Sequence, residues 1–261
     1  MLNFKNKKIL IVGSLGLIGF SLTKSLLKYG AKMILIDNNS KEKKKINFLK
    51  KNNQKLNLID ISDEGEVKNF FKKNIKNMSN LTSVVNLAGI DAKVDSKSIN
   101  FEKEFDNFDN DLIKKSIDVN LFGTLNICKE ACKIFKKKKS GNIINVASLY
   151  SINAPNKKLY GNTKIRNKPS DYIISKSSIP NITKYIAAHY ADRGIRANCV
   201  VPHGIENNHS KMFKKKFALL TPIRRMCKVS EIVNPIIFLL SDGSTYMNGS
   251  TVIVDGGWSA W

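Results

Sequence analysis

The stretch "KKILIVGSLGLIG" (residues 7–19) decides the fold of this chain. It opens with aliphatic and β-branched residues, which are typical of a buried strand. Glycines at positions 13, 16 and 19 follow, and an amphipathic helical pattern begins near Leu17. Glycine permits a tight turn, and a helix N-terminus next to it offers free N–H groups and a positive dipole to an anion. The stretch therefore predicts a strand, a phosphate-binding turn and a helix.

The second predicted strand ends at Asp37, about 20 residues beyond the turn, which is the spacing of a dinucleotide site. A carboxylate there can accept hydrogen bonds from ribose hydroxyls and would repel a 2′-phosphate. No arginine lies in the turn or just after Asp37. We therefore expect NAD(H) to be favoured, with NADP(H) as the alternative. The residues predicted to hold the pyrophosphate are Gly13, Ser14, Gly16, Leu17, Ile18 and Gly19.

Short apolar runs alternate with longer amphipathic stretches along the whole chain. The runs lie at 7–13, 31–37, 55–60, 82–89, 141–148, 195–202 and 250–257. The helical patterns lie at 17–29, 40–51, 63–77, 109–138, 171–192 and 229–241. Strands that are apolar on both faces predict a parallel sheet covered by helices. The predicted fold is a doubly wound α/β Rossmann fold, a seven-stranded parallel sheet flanked by helices in a single domain over residues 1–261.

The chain is strongly basic, because 44 lysines and arginines against 21 aspartates and glutamates give a formal net charge of +23. Such an excess can attract nucleic acid, a membrane surface or an anionic substrate. The lysines are spread along the chain, and aromatic residues do not interleave with the short lysine runs as a stacking surface requires. We therefore favour a composition bias and expect no nucleic-acid and no membrane partner. Attraction of an anionic substrate by this positive charge remains the alternative interpretation.

The cysteines and the N-terminus also limit the function. Cysteines at 128, 132, 199 and 227 show no metal-ligand spacing, so we expect reduced thiols and no metal site. The basic and apolar start resembles a signal peptide but lacks a small-residue cleavage site. No run approaches the ~18 apolar residues of a membrane span. These observations predict a cytoplasmic protein.

Six ordered motifs resemble the short-chain dehydrogenase/reductase family over essentially the whole chain. They are "NLAG" (86–89), "DVNLFG" (118–123), "NVAS" (145–148), Tyr-x-x-x-Lys, "IRANCVVPHG" (195–204) and "VIVDGGW" (252–258). The resemblance implies an NAD(P)-dependent oxidoreductase that moves a hydride between nicotinamide and a carbonyl or secondary alcohol. It also implies a homotetramer or homodimer, with the final "GGWSAW" at an interface. Residues 1–147 would mainly bind cofactor, and residues 148–261 would supply catalytic residues, substrate loops and the interface.

The Tyr-x-x-x-Lys motif occurs twice, at residues 160–164 and 172–176. The family's Ser-to-Tyr spacing would select Tyr160, which lies twelve residues after Ser148. Its spacing from Tyr to the Arg of an "IRVN"-like strand start selects Tyr172, which lies 24 residues before Arg196. Residues 161–163 are poor helix formers, whereas Pro169 suits a helix that starts just beyond it. We therefore predict Tyr172 and Lys176 as the functional pair and residues 149–169 as an insertion.

The resemblance implies a role for each matching residue. Tyr172 would be the general acid or base, and Lys176 would lower its pKa and bind the nicotinamide ribose. Ser148 would polarise the reacting oxygen, and Asn120 would hold a proton-relay water. Tyr172 and Lys176 are also implied cofactor contacts. The others are Asp60 and Ile61 at the adenine, Asn86, Ala88 and Gly89 on the adenosine ribose side, and Pro202 and Ile205 against the nicotinamide. A half-buried core tyrosine and a strand-end hydroxyl are the structural alternatives for Tyr172 and Ser148.

Pro180 and His203 are among the departures from the family pattern. Pro180 lies inside the predicted catalytic helix, where its ring predicts a kink that could alter the placement of Lys176. His203 replaces the glycine that commonly follows the proline, and it either touches the substrate or is a displaced loop side chain. These departures leave a non-catalytic dinucleotide-binding protein as an alternative of another class.

The insertion is the best sequence evidence about the substrate. Its basic and aromatic residues, and those of a flexible segment at about 205–225, suit an anionic substrate that carries phosphate. The insertion also resembles those of oxidoreductases in bacterial surface-sugar and flagellin-glycan pathways. We therefore expect a sugar phosphate or nucleotide sugar, with a 3-oxoacyl-thioester reductase that prefers NADPH as the alternative. The predicted substrate residues are Tyr150, Tyr160, Lys164, Arg166 and His203.

Overall fold

The computed structural model describes residues 3–91, 110–160 and 170–261. The strands in this part of the chain form an all-parallel sheet in the order β3-β2-β1-β4-β5-β6-β7. They are β1 Lys8–Val12, β2 Lys32–Asp37, β3 Leu56–Leu58, β4 Ser83–Asn86, β5 Gly141–Val146, β6 Ile195–Pro202 and β7 Thr251–Val254. The predicted seven-stranded parallel sheet is confirmed.

Helices cover both faces of the sheet, and most of them coincide with the predicted helical patterns. Their bounds are α1 Leu17–Lys28, α2 Lys43–Lys51, α3 Glu64–Lys73, α4 Ile75–Met78, α5 Asn110–Ile117, α6 Gly123–Lys138, α7 Lys157–Tyr160, α8 Ser170–Ser177, α9 Ile179–His189, α10 Lys211–Leu220 and α11 Val229–Leu240. None of these helices is both long enough and apolar enough to cross a membrane, which applies to the described residues alone.

The strands are apolar on both faces because each face packs against a layer of helices. Along β1, Leu10 and Val12 join the hydrophobic cluster that includes buried residues of α3 and α6. The alternate residues Ile9 and Ile11 join the cluster that includes buried residues of α1 and α11. All four side chains are fully buried. This two-sided core is the physical reason that the strand sequences do not alternate between polar and apolar residues.

The chain reverses its direction of progress across the sheet at β1. Val12 aligns with Ile36 of β2 on one side and with Asn86 of β4 on the other. The connections that follow β1 and β4 therefore leave a crevice outside the carboxyl ends of the strands, which is where doubly wound sheets bind ligands. The glycine turn and the segments after β4, β5 and β6 meet at this edge of the sheet.

Two predicted helices are interrupted close to this edge. A π-helical turn at Asp118–Phe122 separates α5 from α6 and contains Asn120. The predicted helix at 171–192 is two helices, because α8 ends at Ser177 and α9 begins at Ile179. Pro180 occupies the first turn of α9, where a missing N–H removes no helix bond. The predicted kink at Pro180 is thus a helix break.

The two segments assigned to substrate loops also contain helices. The start of the insertion forms a 3-10 turn at Leu149–Ser151 and then α7. The segment expected to be flexible at about 205–225 contains α10, whose N-cap Ser210 accepts a hydrogen bond from the Phe213 N–H at 3.2 Å. A capped amphipathic helix therefore lies in this segment, and its expected flexibility stays a prediction. The predicted substrate residues Lys164 and Arg166 lie outside the described residues.

Candidate active site

The glycine turn forms a tight cradle at the end of β1. Gly13 has a φ of +81°, and a Cβ atom on it would lie 2.6 Å from the Ala88 backbone nitrogen. A Cβ atom on Gly19 would clash with the Gly13 carbonyl. Gly16 and Leu17, by contrast, are exposed where α1 begins, and the first turn of α1 holds no acidic side chain. Close backbone packing below and an open helix N-terminus above fit a pyrophosphate.

Ser14 adds a polar group to the same cradle. Its side chain is fully buried, and its hydroxyl oxygen has no hydrogen-bond partner among residues 3–91, 110–160 and 170–261. Buried polar atoms are nearly always satisfied in proteins. An orphaned hydroxyl beside the turn is therefore consistent with a ligand group that completes it. The predicted residue Ile18 is half-buried in the first turn of α1.

Asp37 lies at the end of β2, beside the glycine turn. Its carboxylate accepts hydrogen bonds from the Leu15 N–H at 2.8 Å and the Asn39 N–H at 2.9 Å. The Lys45 ammonium donates to the Leu15 carbonyl at 2.6 Å, so both polar groups of residue 15 are held by a charged side chain. Each carboxylate oxygen of Asp37 keeps a second acceptor position for a ribose hydroxyl. Lys45 is a residue that the sequence analysis missed, because nothing in its spacing separates it from neighbouring lysines.

The residues predicted at the adenosine end occupy different environments. Asp60 is exposed after β3 and accepts hydrogen bonds from the N–H and hydroxyl of Ser62 at 2.9 and 2.6 Å. Ile61 is buried where a Cβ atom on Gly123 would touch it. Asn86 is also buried, and its amide nitrogen donates to Asn145 Oδ1 at 2.8 Å inside the sheet. Ala88 lies directly against the glycine turn.

Asn120 holds the segment that follows β4. Its Oδ1 accepts the Ile90 N–H at 2.7 Å, and its Nδ2 donates to the Ile90 carbonyl at 3.0 Å and to Ser175 Oγ at 2.8 Å. A Cβ atom on Gly89 would lie 2.9 Å from Asn120 Oδ1 and 3.1 Å from the Lys176 ammonium. The fully buried amide on the π-helical turn therefore joins the β4 segment to α8. Such turns often occur at functional sites.

Ser148, Tyr172 and Lys176 meet at the carboxyl end of β5. The side chains of Ser148 and Tyr172 are hydrogen-bonded to each other. The buried Lys176 ammonium donates to the Val146 carbonyl at 3.2 Å. Because Gly89 contacts both Asn120 and Lys176, the structure brings the four predicted catalytic residues into one region of the crevice.

Burial controls the protonation of this group. It raises the pKa of Tyr172 above its usual value, the Asp91 charge raises it further, and the hydrogen bond from Ser148 opposes both. Burial also lowers the pKa of Lys176 to about 8. The resemblance led us to expect Lys176 to lower the Tyr172 pKa. Here Ser148 exerts the opposing effect, and the phenol stays protonated at neutral pH.

A buried aromatic cluster lies next to Tyr172. Tyr150 and Tyr160 share a hydrogen bond of 2.7 Å between their hydroxyls, and both are almost fully buried. The His203 ring is buried between Tyr150 and Trp258, at ring-centre distances of 5.6 and 4.5 Å. His203 thus packs against aromatic rings, and its contact with a substrate stays a prediction. Pro202 is buried at the end of β6, directly before His203.

The predicted nicotinamide contact Ile205 is half-buried and forms a parallel bridge with Cys227 beyond β6. Among the described residues, no group of three or more histidine, cysteine or acidic side chains could hold a metal ion.

Asp91 is a second residue that the sequence analysis missed. It follows the "NLAG" motif closely, and that position was the only sequence evidence that could have identified it.

Proteins similar to this chain include a flagellin modification protein and a 3-oxoacyl-(acyl-carrier-protein) reductase. The chain matches a family model described as enoyl-(acyl carrier protein) reductase over residues 16–259. It is 28% identical to the post-translational flagellin modification protein A of Campylobacter coli, over 97% of this chain and 98% of that protein. It is 29% identical to the 3-oxoacyl-(acyl-carrier-protein) reductase FabG of Rickettsia typhi, over 98% of each.

Solved structures show the same fold with either nicotinamide cofactor. A short chain dehydrogenase from Leptospira borgpetersenii with bound NAD+ has a TM-score of 0.84 and 28% identity, and the match covers 98% of this chain and 94% of that chain. A gluconate 5-dehydrogenase from Burkholderia cenocepacia, in complex with NADP and tartrate, has a TM-score of 0.83 at 24% identity, over 100% and 98% of the two chains. This chain is an NAD(P)-dependent oxidoreductase that belongs to the short-chain dehydrogenase/reductase family.

Proposed function

We propose that this oxidoreductase interconverts a carbonyl and a secondary alcohol on a sugar phosphate or nucleotide sugar in surface-glycan biosynthesis, with Tyr172 as its acid and base. The observation that carries the proposal is the Ser148–Tyr172 hydrogen bond beside the buried Lys176 and Asn120. Intact polar groups at all four positions count against a non-catalytic dinucleotide-binding protein. The flagellin modification relative supports the substrate class.

Each residue of the group has a defined chemical task in this proposal. In the reduction, the neutral Tyr172 phenol donates its proton to the oxygen that becomes the alcohol, and in the oxidation its phenolate accepts that proton. Ser148 holds the same oxygen by a hydrogen bond and stabilises the charge that develops on it. A nicotinamide dinucleotide, when bound, supplies or accepts the hydride.

Lys176 and Asn120 support this proton transfer. Lys176 donates to the Val146 carbonyl and would bind the nicotinamide ribose with its ammonium. Asn120 fixes the backbone of Ile90 and would hold the proton-relay water. Gly13, Ser14, Gly16 and Gly19 would hold the pyrophosphate, and Asp37 would hold the adenosine ribose and favour NAD(H).

The 3-oxoacyl-thioester reductase is a second candidate because the Rickettsia relative has that activity in its name and the matching family model describes an acyl-carrier-protein reductase. Asp37 counts against it, since this candidate should prefer NADPH. A homotetramer or homodimer and a cytoplasmic location belong to the proposal as well, and both rest on the family.

A substrate screen tests the proposal. Sugar phosphates, nucleotide sugars and 3-oxoacyl thioesters are each assayed with NAD(H) and NADP(H) by nicotinamide absorbance. We expect turnover of a sugar substrate with NAD(H). Turnover of acyl thioesters alone would support the second candidate, and cofactor binding without any turnover would support the non-catalytic alternative.

A further inference from the structure

Two helical segments meet through polar side chains beside the proposed catalytic group. Along residues 110–120, which form α5 and the start of the π-helical turn, the buried side chains are Ser116 and Asn120. The buried side chains of α8 include Asp171 and Ser175. Helices in a folded protein usually bury apolar side chains and expose polar ones. The buried part of this contact is instead polar.

Two hydrogen bonds join the segments, four residues apart on each of them. The Ser116 hydroxyl donates to the Asp171 carboxylate, and both side chains are almost fully buried. Asn120 Nδ2 donates to Ser175 Oγ at 2.8 Å, and the Ser175 hydroxyl donates to the Tyr172 carbonyl at 3.0 Å. Because residues four apart share a face of a helix, both bonds hold one face of α8.

The helix α8 depends on these contacts for its orientation. It has eight residues and ends at Ser177, and the separate helix α9 begins at Ile179. A helix of about two turns is not stable on its own. Apolar packing has no preferred direction, whereas a hydrogen bond requires both a distance and an angle. The polar contact therefore fixes the rotation of α8 about its axis, and with it the direction in which Tyr172 and Lys176 project.

We propose that Asp171 is a positioning residue for Tyr172, held by Ser116 so that the phenol keeps its hydrogen bond with Ser148. Asn120 anchors the second turn of α8, and the bond between Ser116 and Asp171 anchors the first turn. Asp171 also places a negative charge in the first turn, where the helix dipole favours it. This inference rests on the proposed role of Tyr172 as acid and base, and it does not depend on the substrate class.

Steady-state kinetics test the inference with whichever sugar phosphate, nucleotide sugar or 3-oxoacyl thioester is turned over. Asp171→Ala removes the acceptor, so kcat should fall at least about tenfold, while the Kd for NADH should change much less. Asp171→Asn keeps an oxygen for the Ser116 hydroxyl and should restore most of kcat. Ser116→Ala should also lower kcat. The double variant should be no slower than Asp171→Ala, because both changes break one bond.

Ser244→Ala is the matched control for Ser116→Ala. Ser244 is fully buried in the 3-10 turn that follows α11, and its hydroxyl donates to the Leu239 carbonyl at 2.8 Å. Both variants lose a buried hydroxyl and its hydrogen bond, so both should lower the melting temperature. Only Ser116→Ala should lower kcat. If Asp171→Ala fails to fold, Ser116→Ala and its control carry the same test.

A second readout needs no substrate. In protein labelled with ¹³Cζ-tyrosine, the NMR signal of Tyr172 is the one that Tyr172→Phe lacks. Ser116→Ala should shift this signal, and Ser244→Ala should leave it in place. Turnover of acyl thioesters alone would contradict the proposed substrate class, yet the kinetic comparison would still apply; without any turnover, the NMR comparison decides. An unchanged kcat in Asp171→Ala, equal losses of kcat in Ser116→Ala and Ser244→Ala, or an unshifted Tyr172 signal in Ser116→Ala would overturn the inference.

Discussion

At the residue scale, the chemistry expected of Tyr172 and Asp37 depends on the groups that surround each side chain. Spacing to Arg196 and the position of Pro169 are enough to select Tyr172 from two identical motifs. The protonation of its phenol depends on burial and on Asp91, which sequence spacing does not give. The pairing of Tyr160 with Tyr150 was likewise not predictable, because the two hydroxyls meet only through the fold of the insertion.

Asp37 supports a prediction about the cofactor. Asp37→Ser removes the negative charge next to the ribose, so the NADP+ to NAD+ ratio of kcat/KM should rise at least about tenfold, which corresponds to ~1.4 kcal/mol. Lys45→Ala serves as the companion variant. Because the Lys45 ammonium donates to the Leu15 carbonyl beside Asp37, its positive charge would attract a 2′-phosphate there. Its loss should therefore lower the kcat/KM for NADP+ more than that for NAD+. An unchanged ratio in Asp37→Ser would show that the carboxylate does not set the preference.

Secondary structure elements were the most predictable level of this molecule. Continuous apolar runs identified the seven strands because both sheet faces are covered, and helical periodicity identified the longer helices. The π-helical turn was missed because its five residues continue the apolar pattern of α5 and α6. The helix α10 was missed because its lysines obscure an apolar face formed by Phe213 and Phe217.

The break between α8 and α9 gives a prediction for Pro180. The proline lies in the first turn of α9, and Lys176 reaches the Val146 carbonyl in spite of the break. Pro180→Ala should therefore change the free energy of unfolding by less than about 1 kcal/mol and leave kcat within a factor of a few. Thermal unfolding and steady-state kinetics measure both. A large loss of kcat would mean that the break itself positions Lys176.

At the scale of the whole molecule, the last residues of the chain lie partly in the core and partly on the surface. Trp258 is buried against His203 and Phe217 in its own chain, so this part of "GGWSAW" is core. Trp261 remains 74% exposed. The strand β7 forms one edge of the described sheet and exposes 45% of Ile253. Exposed apolar groups beside an open sheet edge favour association.

This surface predicts the assembly state. Light scattering after size exclusion should give a mass that is two or four times that of the chain. Ile253→Glu should lower that mass, since it introduces charge into the association surface, while Tyr185→Glu, which changes another exposed apolar side chain on α9, should not. A wild-type protein that elutes as a monomer would contradict the expected oligomer.

The choice between the two Tyr-x-x-x-Lys motifs is the central claim, and the pair Tyr172→Phe and Tyr160→Phe tests it most directly. Both variants lose one hydroxyl, and Tyr160→Phe loses a buried hydrogen bond of about 0.5–1.5 kcal/mol. Tyr172→Phe should reduce kcat at least about a hundredfold while NAD(H) binding, followed by fluorescence, is retained. Tyr160→Phe should keep kcat within a few-fold of wild type. Substantial turnover by Tyr172→Phe, or its loss in a folded Tyr160→Phe alone, would contradict the assignment.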